Sequence, residues 1–260
     1  MSDDESDASG DSPMAFMFDG MKRKDTKEFS FESDGTGEFT VSLKMITGDP
    51  GHQQSGQYLW PASAFNARWL LAHPEQFHLK DAESNEVTLV ELGAGCGLSG
   101  LAASKLACVE SLILTDYDYG AIELLEENAA GNNSRRSGGE GEGDEEAFIA
   151  VEKLKWGAEM TPLLQAKVSA SKQLLVLGSD LIYCSTVCKP LFTSVRDLLA
   201  LAPANEKNAF FLVSSFSLKD EIEETAVASY TSLGLEVNEV NALDVDAGQC
   251  RCQIFTLAGK

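Results

Sequence analysis

Basic residues are scarce in this sequence. Its 260 residues include 20 lysines and arginines against 41 aspartates and glutamates, which gives a formal net charge of −21 at pH 7. A surface with this balance repels phosphate backbones, so the composition argues against nucleic acid as a partner. Two interpretations of the acidity stay open: it attracts basic protein segments, or it only keeps the protein soluble.

Long hydrophobic runs are also missing. No stretch approaches the roughly 18 consecutive apolar residues that indicate a membrane-spanning helix. The first residues, Met1-Ser-Asp-Asp-Glu-Ser-Asp, are acidic, whereas secretory leaders begin with basic residues. We therefore expect no membrane association and a location in the cytoplasm or the nucleus.

The spacings typical of metal sites are absent as well. The six cysteines include the pairs Cys184-x-x-x-Cys188 and Cys250-x-Cys252, and the chain has only three histidines. Neither pair has the C-x-x-C spacing of common zinc sites. Cysteines inside apolar patterns behave as small hydrophobic residues. The sequence therefore predicts no metal site and a reducing compartment.

What the sequence does contain is an alternation of strand and helix patterns. Predicted strands cover residues 39–46, 87–92, 111–115, 148–154, 173–178, 209–214, 235–240 and 253–257, and predicted helices cover 63–77, 98–106, 120–130, 190–201 and 221–233. Alternating strands and helices imply an α/β fold with a doubly wound parallel sheet and helices on both faces. The last two strands have no helix between them, which predicts a terminal antiparallel hairpin.

Two segments have the composition of disordered chain. Residues 1–35 are rich in Asp, Glu, Ser and Gly, and they predict a disordered acidic tail. Residues 132–146 are rich in Gly and Glu, which is typical of a flexible surface insertion. We therefore expect one domain over residues 36–260, interrupted by the insertion.

The first buried strand runs into a glycine-rich loop, Glu91-Leu-Gly93-Ala94-Gly95-Cys-Gly97. In open α/β sheets, ligands bind outside the carboxyl ends of the strands. The segment 95–100 matches the G-x-G-x-x-G spacing of dinucleotide sites. However, a carboxylate at Glu91 is unfavourable beside a pyrophosphate and suits a ligand with an ammonium and a sulfonium group. The charge of Glu91 therefore favours S-adenosylmethionine over a nicotinamide dinucleotide.

Three later strand ends carry side chains suited to the same ligand. Asp116 ends the second strand of the sheet, where it can accept hydrogen bonds from ribose hydroxyls, although Asp is also a good helix N-cap. Trp156 can stack on adenine or pack in the core. Asp180 and Tyr183 follow the fourth strand and would project over the methyl donor, and Asp180 is again a candidate N-cap.

Taken in order, these motifs resemble those of the family-16 methyltransferases, a seven-β-strand group that includes protein-lysine methyltransferases. The resemblance covers residues 39–258, and its motifs are Trp60-Pro-Ala, Glu91-Leu-Gly-Ala-Gly-Cys-Gly-Leu, Thr115-Asp116, Leu124-Leu-Glu-Glu-Asn128, Trp156-Gly and Asp180-Leu-Ile-Tyr183. It implies the class I methyltransferase fold, which is a Rossmann-like seven-stranded sheet, and S-adenosyl-L-methionine as cofactor.

The resemblance also implies roles for individual residues. Donor contacts would fall on Trp60, Glu91, the glycine loop, Asp116 and Trp156. Asp180 and Tyr183 would face the substrate, and Asp180 is expected to contact the donor as well. The implied enzyme is a monomeric protein-lysine N-methyltransferase that acts on a non-histone protein. Its substrate would contain a basic segment or would be a chaperone or translation protein. Methylation of protein histidine or of a small amine is the alternative, and a protein that kept only the fold is another.

Two positions depart from the family pattern. Lys155 stands where an acidic residue often precedes the tryptophan, and residues 214–219 lack an arginine that is often found there. The first departure concerns the polar contact on the adenine side, and the second concerns the rim of the substrate site.

Overall fold

A computed structural model describes residues 23–33, 36–47, 55–79, 86–133, 147–240 and 250–259. A two-stranded hairpin precedes a seven-stranded sheet that is flanked by helices. The strands are β1 (Arg23–Ser33), β2 (Gly37–Thr47), β3 (Val87–Leu92), β4 (Val109–Asp116), β5 (Phe148–Lys153), β6 (Gln173–Ser179), β7 (Ala209–Ser214), β8 (Leu235–Val240) and β9 (Arg251–Leu257). The helices are α1 (Pro61–Ala72), α2 (Leu98–Ala103), α3 (Tyr119–Asn132), α4 (Pro162–Ala170), α5 (Ser185–Leu201) and α6 (Asp220–Ser232).

The large sheet has the strand order β5-β4-β3-β6-β7-β9-β8. Strands β3 to β7 pair in parallel with one another, and β9 runs antiparallel to both β7 and β8. The chain turns from one side of β3 to the other after β5, so the switch point lies between β3 and β6. This is the crevice in which open α/β sheets bind ligands.

The two faces of the sheet bury different hydrophobic clusters. In β3 every residue is buried, and Val87 and Leu89 join the cluster under α1, α2 and α3, whereas Val90 and Leu92 join the cluster under α4, α5 and α6. Side chains alternate along a strand, so Glu91 lies on the same face as Leu89, toward α2. This confirms the predicted doubly wound sheet.

The N-terminal hairpin is attached to α3 by two buried asparagines. Asn128 accepts a hydrogen bond from Lys44 N–H at 2.7 Å and donates to the Lys44 carbonyl at 2.9 Å. Asn132 accepts from Ser42 N–H at 2.9 Å and donates to the Ser42 carbonyl at 2.7 Å. The two amides therefore satisfy backbone groups of β2 as a neighbouring strand would.

Several predicted boundaries are wrong. The disordered tail cannot extend to residue 35, because Arg23–Ser33 form β1; residues 1–22 lie outside the described residues. Asn132 belongs to α3, and most of the predicted insertion, residues 134–146, is also outside them. Helix α5 begins at Ser185 and not at Pro190, which lies inside the helix.

Helix α4 was not predicted at all, and the segment predicted as one helix over 63–77 divides at His73 into α1 and a short 3₁₀ turn. The predicted terminal hairpin is confirmed, although β9 lies between β7 and β8 and not at the edge. Within the described ranges, no helix combines the length and apolar character needed to cross a bilayer.

Candidate active site

One cavity of about 1020 Å³ opens at the carboxyl ends of β3, β4, β5 and β6. It brings together all but one of the predicted site residues. Its lining residues are Gly56, Tyr58, Leu59, Trp60, Ser63, Glu91, Gly93, Ala94, Gly95, Cys96, Asp116, Tyr117, Asp118, Lys155, Trp156, Ser179, Asp180, Leu181, Tyr183, Thr186, Val187, Pro190 and Phe216. Gly97 is the exception.

The glycine loop forms the floor of the cavity in a left-handed conformation. Gly93 and Gly95 have φ values of +55° and +56°, which residues other than glycine rarely adopt. A Cβ at Gly95 would lie 2.8 Å from the Gly56 carbonyl oxygen. The loop therefore needs glycine partly because another chain segment, at Gly56, lies against it. Gly97, with φ +84°, precedes α2 and faces Leu125 in the core.

Glu91 lies at the inner end of the cavity and is 1% exposed. Its Oε2 accepts a hydrogen bond from Gly100 N–H at 2.9 Å. Burial raises the pKa of this carboxyl from 4.5 to about 7; the hydrogen bonds from Gly100 and Ser99 oppose the rise, and the charge of Asp116 adds to it. No cation of the described chain offsets the charge, so a cationic ligand would be stabilised here.

The Glu91–Gly100 contact also bears on the dinucleotide alternative. In dinucleotide sites the pyrophosphate binds the free amides at a helix N-terminus. Here the Gly100 amide, in the first turn of α2, is already bonded to the Glu91 carboxylate. A phosphate would lose this donor and meet a carboxylate, so the geometry disfavours a nicotinamide cofactor.

Asp116 joins the glycine loop to the end of β4. Its carboxylate accepts hydrogen bonds from the backbone N–H groups of Gly95 at 3.0 Å, Tyr117 at 2.7 Å and Asp118 at 3.0 Å. The N-cap of α3 is Asp118, whose side chain accepts from Ala121 N–H at 3.0 Å. The N-cap role considered for Asp116 is therefore wrong, and its carboxylate lines the cavity instead.

Aromatic side chains form the wall beyond Asp116. The Trp156 ring lies against the loop, since a Cβ at Gly93 would come 2.9 Å from its Cζ2. Tyr117 and Lys155 also line this wall, with the Lys155 Nζ 5.7 Å from the centre of the Tyr117 ring. Lys155, the departure noted in the sequence, therefore faces an aromatic ring.

On the opposite side, Asp180 is 8% exposed and has a φ of +55°. Ser215 donates to it twice, from N–H to Oδ1 at 2.7 Å and from Oγ to Oδ2 at 2.7 Å. The Ala62 amide, in the first turn of α1, donates to Oδ2 at 3.3 Å. Asp180 does not cap α5, which begins after Cys184. Its N-cap interpretation is therefore wrong as well.

The mouth of the cavity on this side is aromatic. Tyr183 is 62% exposed, and Trp60 and Phe216 are each 38% exposed. Sequence reasoning missed Ser215 and Phe216, although it singled out residues 214–219 as unusual. It also missed Gly56 and Tyr58 as lining residues, because no chemistry marks a glycine and a tyrosine outside a strand end.

Thiol chemistry and metal binding find no support in this cavity. Burial, together with the nearby charges of Asp116 and Glu91, raises the pKa of Cys96 to about 12, so the thiol stays protonated. Its Sγ donates to the Gln57 carbonyl at 3.3 Å. In the part of the chain that the structure describes, no three His, Cys, Asp or Glu side chains cluster as metal ligands would.

The strand order, the glycine loop after β3 and the acidic side chains at the ends of β3 and β4 are those of the class I methyltransferase fold. A family model described as lysine methyltransferase matches residues 42–222, which is well over half of the chain. The chain belongs to that family. Family and fold together imply S-adenosylmethionine as the methyl donor.

The matches to individual relatives cover only part of each relative's own length. The protein-lysine N-methyltransferase EEF2KMT of Mus musculus is 26% identical over 70% of this chain and 50% of its own. The protein N-terminal and lysine N-methyltransferase EFM7 of Cryptococcus neoformans is 32% identical over 51% and 39%. The chain thus spans about half the length of the curated relatives it matches. A crystal structure of a methyltransferase from Pyrococcus furiosus aligns over 71% of this chain and 80% of its own, with 15% identity and a TM-score of 0.44.

Proposed function

We propose that this protein is an S-adenosylmethionine-dependent protein-lysine N-methyltransferase. The observation that carries the proposal is the buried Glu91 carboxylate, which faces the cavity and has no cationic partner in the described chain. Such a group favours a cationic ligand and opposes a phosphorylated one. Membership of the lysine methyltransferase family supports the choice of acceptor.

The donor would be held by residues from three strand ends. Glu91 supplies negative charge for an ammonium group, and Gly93, Ala94 and Gly95 shape the floor. Asp116 already accepts three backbone hydrogen bonds, and a carboxylate has about four lone-pair sites. One site is therefore left for a ribose hydroxyl.

Two aromatic side chains complete the donor site. Trp156 offers a ring face to adenine, and Trp60 closes the cavity from the N-terminus of α1. When bound, S-adenosylmethionine supplies a methyl group on a positively charged sulfur.

The acceptor would enter between the three aromatic side chains of the mouth. Asp180 also keeps about one lone-pair site, since three donors occupy the others. It has no cationic partner among the described residues, so it can accept a hydrogen bond from an acceptor amine. Tyr183 lies at the mouth and would orient the same amine. Both are therefore proposed as catalytic residues.

Positioning is the main contribution that these residues make, because methyl transfer needs an in-line nucleophile and little covalent help. Good orientation lowers a barrier by up to about 7–11 kcal/mol. A lysine amine with a pKa of about 10.4 needs about 3 units of depression, or roughly 4 kcal/mol, to be largely neutral at pH 7. Burial of the amine in the cavity supplies part of that depression.

Donor binding is tested first by thermal unfolding. At a hundredfold excess over Kd, S-adenosylmethionine should raise the free energy of unfolding by about 2.7 kcal/mol, and NADH should have no effect. If neither S-adenosylmethionine nor S-adenosylhomocysteine raised the free energy of unfolding, the proposed donor site would be contradicted.

Transfer is tested with tritiated S-adenosylmethionine and a cell lysate, followed by mass spectrometry of the labelled residue. The label should appear on a lysine side chain of a non-histone protein. Label on histidine or in the small-molecule fraction would support the alternative acceptors.

The Asp180→Asn variant tests the acceptor side of the site. It should lower transfer by at least about a hundredfold, as expected for loss of a group that orients the nucleophile, and leave donor Kd nearly unchanged. The control is Asp220→Asn, which changes an exposed carboxylate at the start of α6. Equal loss of transfer and donor binding in Asp180→Asn would rule out the proposed role.

The proposal extends to partner and place. The acidic composition fits a basic protein segment as substrate and does not fit nucleic acid. The six cysteines all lie among the described residues and form no disulfide there, which fits a reducing compartment such as the cytoplasm or nucleus. We infer a monomer, which gel filtration with light scattering would test.

A further inference from the structure

Three segments of the acceptor side meet at a single carboxylate. Ser215, just after β7, and Ala62, in the first turn of α1, both donate hydrogen bonds to Asp180, just after β6. The Asp180 amide in turn donates to the Val213 carbonyl at 2.9 Å. The ends of two strands and the start of one helix are thereby tied together.

Each of these segments also carries one aromatic side chain of the mouth. Trp60 lies two residues before Ala62, and Phe216 follows Ser215 directly. Tyr183 lies three residues after Asp180. The hydrogen bonds of one carboxylate therefore connect the three segments that carry these rings.

The Ser215 contact is the strongest of these bonds by geometry. One residue supplies both 2.7 Å bonds, one to each oxygen of Asp180, whereas the Ala62 bond is 3.3 Å long. Rotation of the carboxylate about its Cβ–Cγ bond would break at least one of the two. Asp180 also has a left-handed backbone, which costs free energy in a residue other than glycine and persists only when neighbours hold it.

We propose that Ser215 is a positioning residue, whose hydroxyl fixes the plane of the Asp180 carboxylate and so aims its remaining lone pair at the acceptor amine. The inference rests on the proposed function, because it assumes an amine acceptor on this side of the cavity. It assigns a reason to the unusual segment 214–219: a serine there orients the carboxylate from β6.

The kinetic test compares Ser215→Ala, Ser215→Thr and the control Ser217→Ala, using the acceptor protein identified by tritium transfer. Ser217 is exposed, lies two residues further along the same segment and does not line the cavity. In Ser215→Ala we expect kcat to fall about tenfold, which corresponds to about 1.4 kcal/mol. The acceptor KM and the Kd for S-adenosylhomocysteine should each change by less than about twofold. Ser215→Thr retains a hydroxyl and should restore most of kcat.

A second measurement does not depend on transfer. The Ala62 amide lies in a first helical turn, where amides have no partner within the helix, and Asp180 is its acceptor. NMR amide exchange of the ligand-free protein should therefore show faster exchange at Ala62 in Ser215→Ala. The Ser217→Ala and Ser215→Thr variants should match the wild type.

The outcomes separate cleanly. Faster exchange together with a kcat loss that Ser215→Thr reverses supports the inference. Unchanged exchange at Ala62, or faster exchange with unchanged kcat, overturns it, as does an equal loss of kcat and donor binding. A wild-type protein that binds S-adenosylhomocysteine but labels no acceptor overturns the proposed function and, with it, the positioning role. In that case the exchange measurement still decides whether Ser215 holds Asp180.

Discussion

Glu91 is a carboxylic acid that folding moves out of water, and the consequence is a pH-dependent stability. Burial raises its pKa from 4.5 to about 7, so the folded protein retains a proton here that the unfolded chain has released. The contribution of this proton to the free energy of unfolding is complete below pH 4.5 and is lost as the pH rises through 7. Above that range, the ionised side chain costs the ligand-free fold about 3 kcal/mol.

We therefore expect Glu91→Gln to stabilise the ligand-free protein at pH 8 and to have little effect at pH 5. The amide has the same size and carries no charge, so the desolvation penalty disappears while the Gly100 bond can remain. The free energy of unfolding, measured with urea at both pH values, should rise by about 1–3 kcal/mol at pH 8 only. Donor affinity should fall at pH 8, because the attraction for a cation is removed.

Glu110→Gln is the matched control for this prediction, because Glu110 lies exposed on the neighbouring strand β4. It should change neither the stability nor the donor affinity. If Glu91→Gln were destabilising at pH 8 as well as at pH 5, the carboxylate would be a structural requirement of the loop and not a binding group held at a cost.

At the scale of elements, what the sequence predicts well is the set of strands inside the large sheet. Strands β3 and β7 are short, mainly apolar segments with every residue buried, which is the pattern of a buried parallel strand. Strand β1 escaped prediction because its sequence, RKDTKEFSFES, is mostly charged. Its strand conformation depends on pairing with β2 over its whole length, and such pairing is not a property of the segment alone.

Some predicted helix boundaries are wrong because tertiary contacts, too, are not a property of one segment. The predicted start of α5 at Pro190 is wrong, because the helix begins at Ser185 and Pro190 lies inside it, packed beside Gly157. The same limit applies to the site. Glu91, Asp116 and Asp180 could be located because they end strands, whereas Ser215 acquires its role only when β6 and β7 lie side by side.

The attachment of the hairpin provides the prediction at this scale. Asn128 bonds the Lys44 backbone and also donates to the Cys96 carbonyl at 2.9 Å, so one side chain joins β2, α3 and the glycine loop. Asn128→Ala leaves these buried groups unsatisfied, at about 1–3 kcal/mol each before relaxation. We expect a loss of at least about 2 kcal/mol in the free energy of unfolding, measured with urea.

Donor affinity should fall in the same variant, because the carbonyl of Cys96 belongs to the loop that forms the floor of the cavity. Asn133→Ala removes an exposed asparagine at the end of α3 and is the control, with an expected change within about 0.5 kcal/mol. A stable Asn128→Ala protein with normal donor affinity would mean that the hairpin and the loop are not coupled.

For the whole molecule, the dominant property is a net charge of −21. The cavity shares this sign, since its lining among the described residues includes Glu91, Asp116, Asp118 and Asp180 but a single cation, Lys155. The negative field of such a protein attracts a basic partner over a long range and accelerates their association. This attraction weakens as salt screens it. It acts much less on a donor bound inside the cavity, because buried charges are poorly screened.

We expect kcat/KM for the acceptor protein to fall at least about fivefold between 50 and 300 mM salt, while kcat and the donor Kd stay nearly constant. Initial rates at low acceptor concentration, with S-adenosylhomocysteine titrations in the same buffers, measure the two quantities separately. A charge-reversed surface is not needed as a control, because the donor titration on the same protein serves that purpose. If kcat/KM were independent of salt, the acidity would serve solubility alone, and acceptor choice would depend on the Asp180 side of the cavity and its three aromatic side chains.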